Sequence, residues 1–266
     1  MFHQIAHGQR IVIKIGSSLL VDHDTGFIRR EWLMSLLKEV IQHWQDGKDI
    51  ILVSSGAIAL GRRHLQLGDR ATLALPQKQA AAAVGQIKLA HAYQEALNAH
   101  GITVAQVLLT LDDSQNEERF TNAKNTLKTL LDLRAIPVIN ENDTVATAEI
   151  RFGDNDRLAA CVAQMVEADT LVLLSDIDGF YTANPQLDQR ATLIREVSEL
   201  TPQMIAMAGD SASEYGSGGM ITKLAAAKMA MESGCRMVIA AGKHMSPLSR
   251  IDRSEDNTWF IPGVAS

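Results

Sequence analysis

The chain is short of cysteine, of basic runs and of long apolar stretches, and each shortage excludes something. Two cysteines in 266 residues, Cys161 and Cys235, match neither a disulfide framework nor a metal-ligand spacing. Both read as buried thiols of a reducing compartment. No basic run exists and the formal charge is −6, which argues against a nucleic-acid partner, since that binding is driven by Lys and Arg neutralising phosphates. No apolar stretch approaches a membrane span, and MFHQIAHGQR at the N-terminus lacks the apolar core of a secretory signal. A cytoplasmic protein without a membrane partner is the expectation. No repeat, low-complexity run or Pro/Ser-rich linker divides the chain, so one domain over 1–266 is expected. Gly-x-Gly-x-x-Gly does not follow the first predicted strand, which disfavours a dehydrogenase.

What remains is an ordinary globular composition, 46% apolar and 21% charged, written as strands alternating with helices. Strands are predicted at 10–15, 49–54, 103–109, 136–140, 170–174 and 237–241, with 258–260 as a last edge strand. Helices are predicted at 30–45, from about 57, at 76–98, 122–133, from 154–156, and at 202–208. The stretch 112–121 reads as a polar loop and 144–150 as a short hairpin. The alanine run ending at Gly85 suggests close packing against another helix. This pattern predicts an α/β fold: an open, mainly parallel sheet with helices on both faces, an αβα sandwich.

In such a sheet the C-terminal ends of the strands share one edge, and ligands sit there. Polar turns gather on it: Gly16 to Ser18, Ser55 and Gly56, Asn140 to Asp143, and Ser175 to Asp178. Lys14 interrupts a buried-looking strand, so either its ammonium reaches a ligand at the strand end or the strand is an edge along which it snorkels. Ser55 reads as a helix N-cap, a substrate hydroxyl contact, or both. The segment from Tyr215 to Lys223 is glycine-rich and opens a helix with one lysine in its first turn, though it lacks P-loop spacing. These lysines, turns and helix starts suit a polyphosphate. The stretch 138–156 concentrates Asn140, Glu141, Asn142, Asp143, Glu149, Asp154, Asn155 and Asp156, which suits an ammonium group. ATP with an amino acid satisfies both.

KIGSS at 14–18, VSSGAIALG at 53–61, PVINENDTVATAEIRFGDND at 137–156, LLSDIDGFYTANP at 173–185 and GSGGMITKL at 216–224 resemble, in order, the motifs of the glutamate 5-kinase family, of the amino-acid kinase fold. The resemblance covers almost the whole chain. It implies ATP-dependent phosphorylation of the L-glutamate side-chain carboxylate to L-glutamyl 5-phosphate, the first step of proline biosynthesis. It implies that Lys14 and Lys223 contact the ATP phosphates, that Asp156 holds both lysines, and that Ser55, Asp143 and Asn155 bind glutamate with support from Asn140 and Asp154. Gly16, Ser175, Asp176, Gly218 and Gly219 match the nucleotide site. Mg2+ is expected to ride mainly on ATP, with no protein metal site. Feedback inhibition by proline and a homo-oligomer, dimer or tetramer, are implied as well. Longer members continue into a C-terminal PUA domain, which this chain is expected to lack. The alternatives are a kinase of aspartate or N-acetylglutamate, and a catalytically silent regulatory protein of the same fold.

Overall fold

The computed structural model describes residues 3–68, 72–147, 154–209, 219–253 and 255–263. In chain order the elements are β1 (Arg10–Ile15), α1 (Ser17–Leu20), α2 (Arg30–Gln45), β2 (Asp49–Val53), α3 (Ala57–His64), α4 (Leu75–Asn98), β3 (Val104–Leu109), α5 (Leu111–Gln115), α6 (Glu117–Asp132) and β4 (Ile136–Glu141). They continue with α7 (Asn155–Met165), β5 (Thr170–Ser175), β6 (Phe180–Tyr181), β7 (Leu193–Ile194), β8 (Glu196–Val197), α8 (Pro202–Gly209), α9 (Met220–Glu232), β9 (Arg236–Ala241), α10 (Pro247–Asp252) and β10 (Asn257–Phe260).

Eight strands form one sheet in the order β3-β4-β2-β1-β5-β9-β10-β8, parallel throughout except at β9–β10. The expected edge strand near residue 260 is therefore second to last, because the two-residue β8 pairs with its outer side. β1 is central: Lys14 is paired with Val53 on one side and Leu173 on the other. That removes the edge-strand reading of Lys14.

Side chains alternate across a strand, so β1 serves two cores. Ile11, Ile13 and Ile15 face the layer of Leu33, Leu36, Leu37 and Val40 from α2 with Leu89 and Tyr93 from α4. Val12 faces the opposite layer, where Leu158, Val162 and Met165 of α7 meet Leu224, Ala226 and Ala227 of α9. Lys14, two residues on from Val12, falls on that second face. The same alternation that builds the core thus aims one lysine between two helix N-termini.

Two sequence expectations need correction. The polar stretch 112–121 is largely helical, because its side chains cap helices: Asp113 Oδ2 accepts from Thr110 N (2.6 Å), and Asn116 accepts from Arg119 N. Residues 143–145 form a turn, and the remainder of the expected hairpin, 148–150, lies outside the described residues. The alanine run behaves as expected. A Cβ built at Gly61 would stand 1.7 Å from Ala81 O, and one at Gly85 1.7 Å from Ala57 O, so α3 and α4 touch backbone to backbone. Gly85→Ala should force the pair apart and lower stability by about 3 kcal/mol, the upper range for overpacking, as read from chemical denaturation. An unchanged unfolding midpoint would mean that the helices separate freely.

Candidate active site

Helix α7 begins with an acidic cap. Asp154 Oδ1 accepts from Asp156 N (2.7 Å) and Arg157 N (3.1 Å), which satisfies two amide donors of the first turn. Burial, followed by the neighbouring Asp156 charge, pushes the Asp154 carboxyl above its ordinary range against those hydrogen bonds. With the turn fixed this way, Asp156 points inward beneath β1 and is fully buried.

There it meets both expected lysines. Lys14 Nζ lies 2.6 Å from Asp156 Oδ1, and Lys223 Nζ, from the first turn of α9, lies 2.9 Å from Oδ2. Lys14 is 9% exposed and Lys223 4%. Thr222 Oγ1 donates to Gly219 O (2.8 Å) at the start of the same helix, and Gly219 is its N-cap. Burial would raise the Asp156 pKa, yet Lys14 and Lys223 outweigh it and hold the carboxyl below its ordinary value. One carboxylate thus stands between two ammonium groups, and Lys14 keeps a solvent-facing sliver through which an anion can reach it.

A second cluster adjoins on the next residue. Asn155 Nδ2 approaches three oxygens: Ser54 O (2.6 Å), Ser55 Oγ (2.7 Å) and Asn140 Oδ1 (3.0 Å). Asn140 Oδ1 also accepts from Glu141 N (2.9 Å), and Asn140 Nδ2 donates to Gln86 Oε1 (2.8 Å). The Ser55 oxygen accepts from Asn155, which leaves its own O–H available as a donor. Gly56, at φ 102°, makes the left-handed turn that leads Ser55 into α3. Ser55, Asn140 and Asn155 are therefore brought together, as are Lys14, Asp156 and Lys223.

The remaining expected residues stand around these clusters. Asp143 lies half-buried in the turn after β4. Gly16 follows β1 and Ser175 ends β5 beside it, with Ile15 paired to Leu174. Ser175 Oγ donates to Asp176 Oδ1 (2.9 Å). Gly218 lies outside the described residues. Sequence reasoning missed Ser54, Gln86, Tyr93 and Thr222. Gln86 and Tyr93 carried a usable signal, two hydrogen-bonding groups seven residues apart on one face of a helix whose neighbours on that face are apolar. Among the described residues no group of three or more His, Cys, Asp or Glu could hold a metal ion.

Residues 9–241 match the model of the amino acid kinase family. A glutamate 5-kinase of Paramagnetospirillum magneticum is 60% identical over 258 residues, which is 97% of this chain and 69% of that protein. The chain belongs to the amino acid kinase family, among its glutamate 5-kinases. A glutamate 5-kinase of a Ruegeria species is 57% identical over 96% of this chain and 69% of its own length. Among solved structures, carbamate kinase from Giardia lamblia bound to AMP-PNP covers 97% of this chain and all of its own at a TM-score of 0.67 and 17% identity. UMP kinase from Ureaplasma parvum covers 95% and 98% at 0.64 and 16% identity. These two likenesses bear on the fold alone and agree with the mainly parallel, helix-covered sheet.

Proposed function

We propose that this chain transfers the γ-phosphoryl group of ATP to the side-chain carboxylate of L-glutamate, giving L-glutamyl 5-phosphate, the first step of proline biosynthesis. The observation that carries the reading is the contiguity of two clusters. A buried Lys14–Asp156–Lys223 group stands one residue away from an amide and hydroxyl group built on Asn155, Asn140 and Ser55.

The chemistry follows from charge. The attacking carboxylate has a reference pKa of about 4.3 and is ionised at neutral pH, so no general base is needed. The difficulty is bringing an anion up to a polyanion. Lys14 and Lys223 supply positive charge that Asp156 holds rigidly in place, so little reorganisation is required as charge moves in the transition state. Gly16, Gly218, Gly219, Ser175 and Asp176 serve the nucleotide. Ser55 donates its hydroxyl to a substrate carboxylate beside the N-terminus of α3. Asn155, with its amide hydrogens committed to protein oxygens, offers its carbonyl to the ammonium, and Asp143 supplies the opposing charge. Asp154 supports the turn. Mg2+ enters as part of the nucleotide: both oxygens of Asp156 face ammonium groups, so that carboxylate does not fit a metal and the phosphate oxygens suit one. Metal bound there would neutralise phosphate charge.

We read residues 1–266 as one amino-acid kinase domain in the cytoplasm. Inhibition by proline and assembly into a dimer or tetramer rest on the family resemblance alone. An ATP- and Mg2+-dependent hydroxamate assay with glutamate, aspartate and N-acetylglutamate tests the reading. Product with glutamate supports it. Preference for another acceptor assigns a different amino-acid kinase, and no turnover with any of the three assigns a silent protein. Asp143→Asn should raise the glutamate KM about tenfold with kcat changed less than about twofold, because it removes charge opposite the ammonium. An unchanged KM would move the ammonium elsewhere.

A further inference from the structure

We infer that Gln86, on α4, is a positioning residue for the acceptor substrate, and that α4 braces the acceptor pocket from outside through two polar side chains. The inference rests on the glutamate reading above and deepens it.

Glu141 N–H donates to Asn140 Oδ1 at 2.9 Å, which fixes that oxygen and turns the amide nitrogen of Asn140 toward α4. The group waiting there is Gln86 Oε1, at 2.8 Å. Asn140 is 2% exposed, so its N–H has no water to turn to. The oxygen so oriented then faces Asn155 Nδ2, whose contacts with Ser54 O and Ser55 Oγ complete the arrangement. Seven residues along the same helix face, the fully buried Tyr93 hydroxyl lies 2.9 Å from Ser54 Oγ. The chain of contacts runs Gln86, Asn140, Asn155, Ser54, Tyr93, and both of its ends are on α4.

The location of this brace is fixed by backbone. Gln86 directly follows Gly85, whose contact with Ala57 O locks α4 against α3, and α3 is the helix that Ser55 and Gly56 lead into. The substrate-facing hydroxyl and the brace are therefore held by the same pair of helices. Removing the Gln86 oxygen leaves the Asn140 amide buried without an acceptor. Asn140 then rotates to recover one and draws its oxygen away from Asn155. The nucleotide side, held by Asp156 and its lysines, is reached from Gln86 only indirectly, through Asn140 and Asn155.

The test compares wild type, Gln86→Met, Gln86→Glu and Tyr93→Phe by steady-state kinetics, with glutamate and ATP varied in turn and melting followed alongside. Gln86→Met should raise the glutamate KM about tenfold and leave the ATP KM within about twofold. Gln86→Glu, which keeps the accepting oxygen, should stay within about threefold of wild type. Tyr93→Phe removes only a hydroxyl and should raise the glutamate KM about threefold, which keeps the test open if Gln86→Met does not fold. An unchanged glutamate KM in Gln86→Met, or in Tyr93→Phe where only that variant folds, overturns the inference. So does a parallel rise of both KM values accompanied by a fall in the melting temperature, since that describes a structural contact only. Wild-type protein that does not phosphorylate glutamate overturns the functional reading itself, and this is seen before any variant is made.

Discussion

Lys14→Ala is expected to lower kcat about a hundredfold or more while changing the glutamate KM far less, the pattern of a preorganised charge that acts mainly in the transition state. The expectation comes from position. Lys14 sits in the central strand with its ammonium 2.6 Å from a buried carboxylate, so its charge is fixed before substrate arrives. Alanine removes that charge and leaves a void beneath the phosphate path. Steady-state kinetics at saturating ATP and glutamate check it, and a near-normal kcat would remove Lys14 from the reacting centre. Lys14→Arg should not restore the rate, because a planar fork cannot take the place of a point charge confined between strand and helix.

Asp156→Asn should have the second large effect, on stability as well as rate. The substitution removes the carboxylate that Lys14 and Lys223 share, and breaking a buried ion pair in this way costs about 3–5 kcal/mol. Denaturant unfolding should show that loss, and kcat should fall with it because neither lysine stays in place. The pH dependence has a definite sign. Burial would raise the Asp156 pKa, but the two lysines hold it below its ordinary value of 3.8. A carboxylate depressed on folding contributes stability that is fully present above the unfolded value and is lost as pH falls through the lower folded one. Wild-type stability from this source is therefore flat across neutral pH and falls only in strong acid. Asp156→Asn should lack that acid-limb loss, sitting lower across neutral pH and approaching wild type in strong acid. A variant as stable as wild type at pH 7 would mean that the lysines find another partner.

The sequence announced the sheet because its strands are short, near-continuous and β-branched-rich apolar runs bounded by small-residue turns, the pattern expected of a sheet covered on both faces. β1 and α2 fall where the periodicity put them. The cap-rich segment 112–121 was misread as a loop because Asp, Asn and Glu signal turns and helix starts alike, and only the capping bonds of Asp113 and Asn116 separate the two. Lys14, Asp156 and Lys223 were legible as a set through their motifs. That Lys14 belongs to a central strand was not, since strand order is a property of pairings far apart in sequence. Gln86 and Tyr93 were hidden for the opposite reason. They lie in a helix whose alanines and leucines read as packing, and their partners, Asn140 and Ser54, come from β4 and the turn after β2.

The position of β1 has a consequence for how the molecule comes into being. The first strand to be made is the one that ends in the middle of the sheet, with neighbours on both sides. During synthesis β2 reaches it early, whereas its other neighbour, β5, follows only after five further helices and two strands have been made. The lysine on β1 acquires its carboxylate with α7 and its companion lysine only with α9. A growing chain on the ribosome therefore carries an open-sided half-sheet for most of its elongation and completes its paired lysines late, in two steps. The short carboxyl-terminal third of the chain acts as the fastener for a site whose first component was laid down at the start.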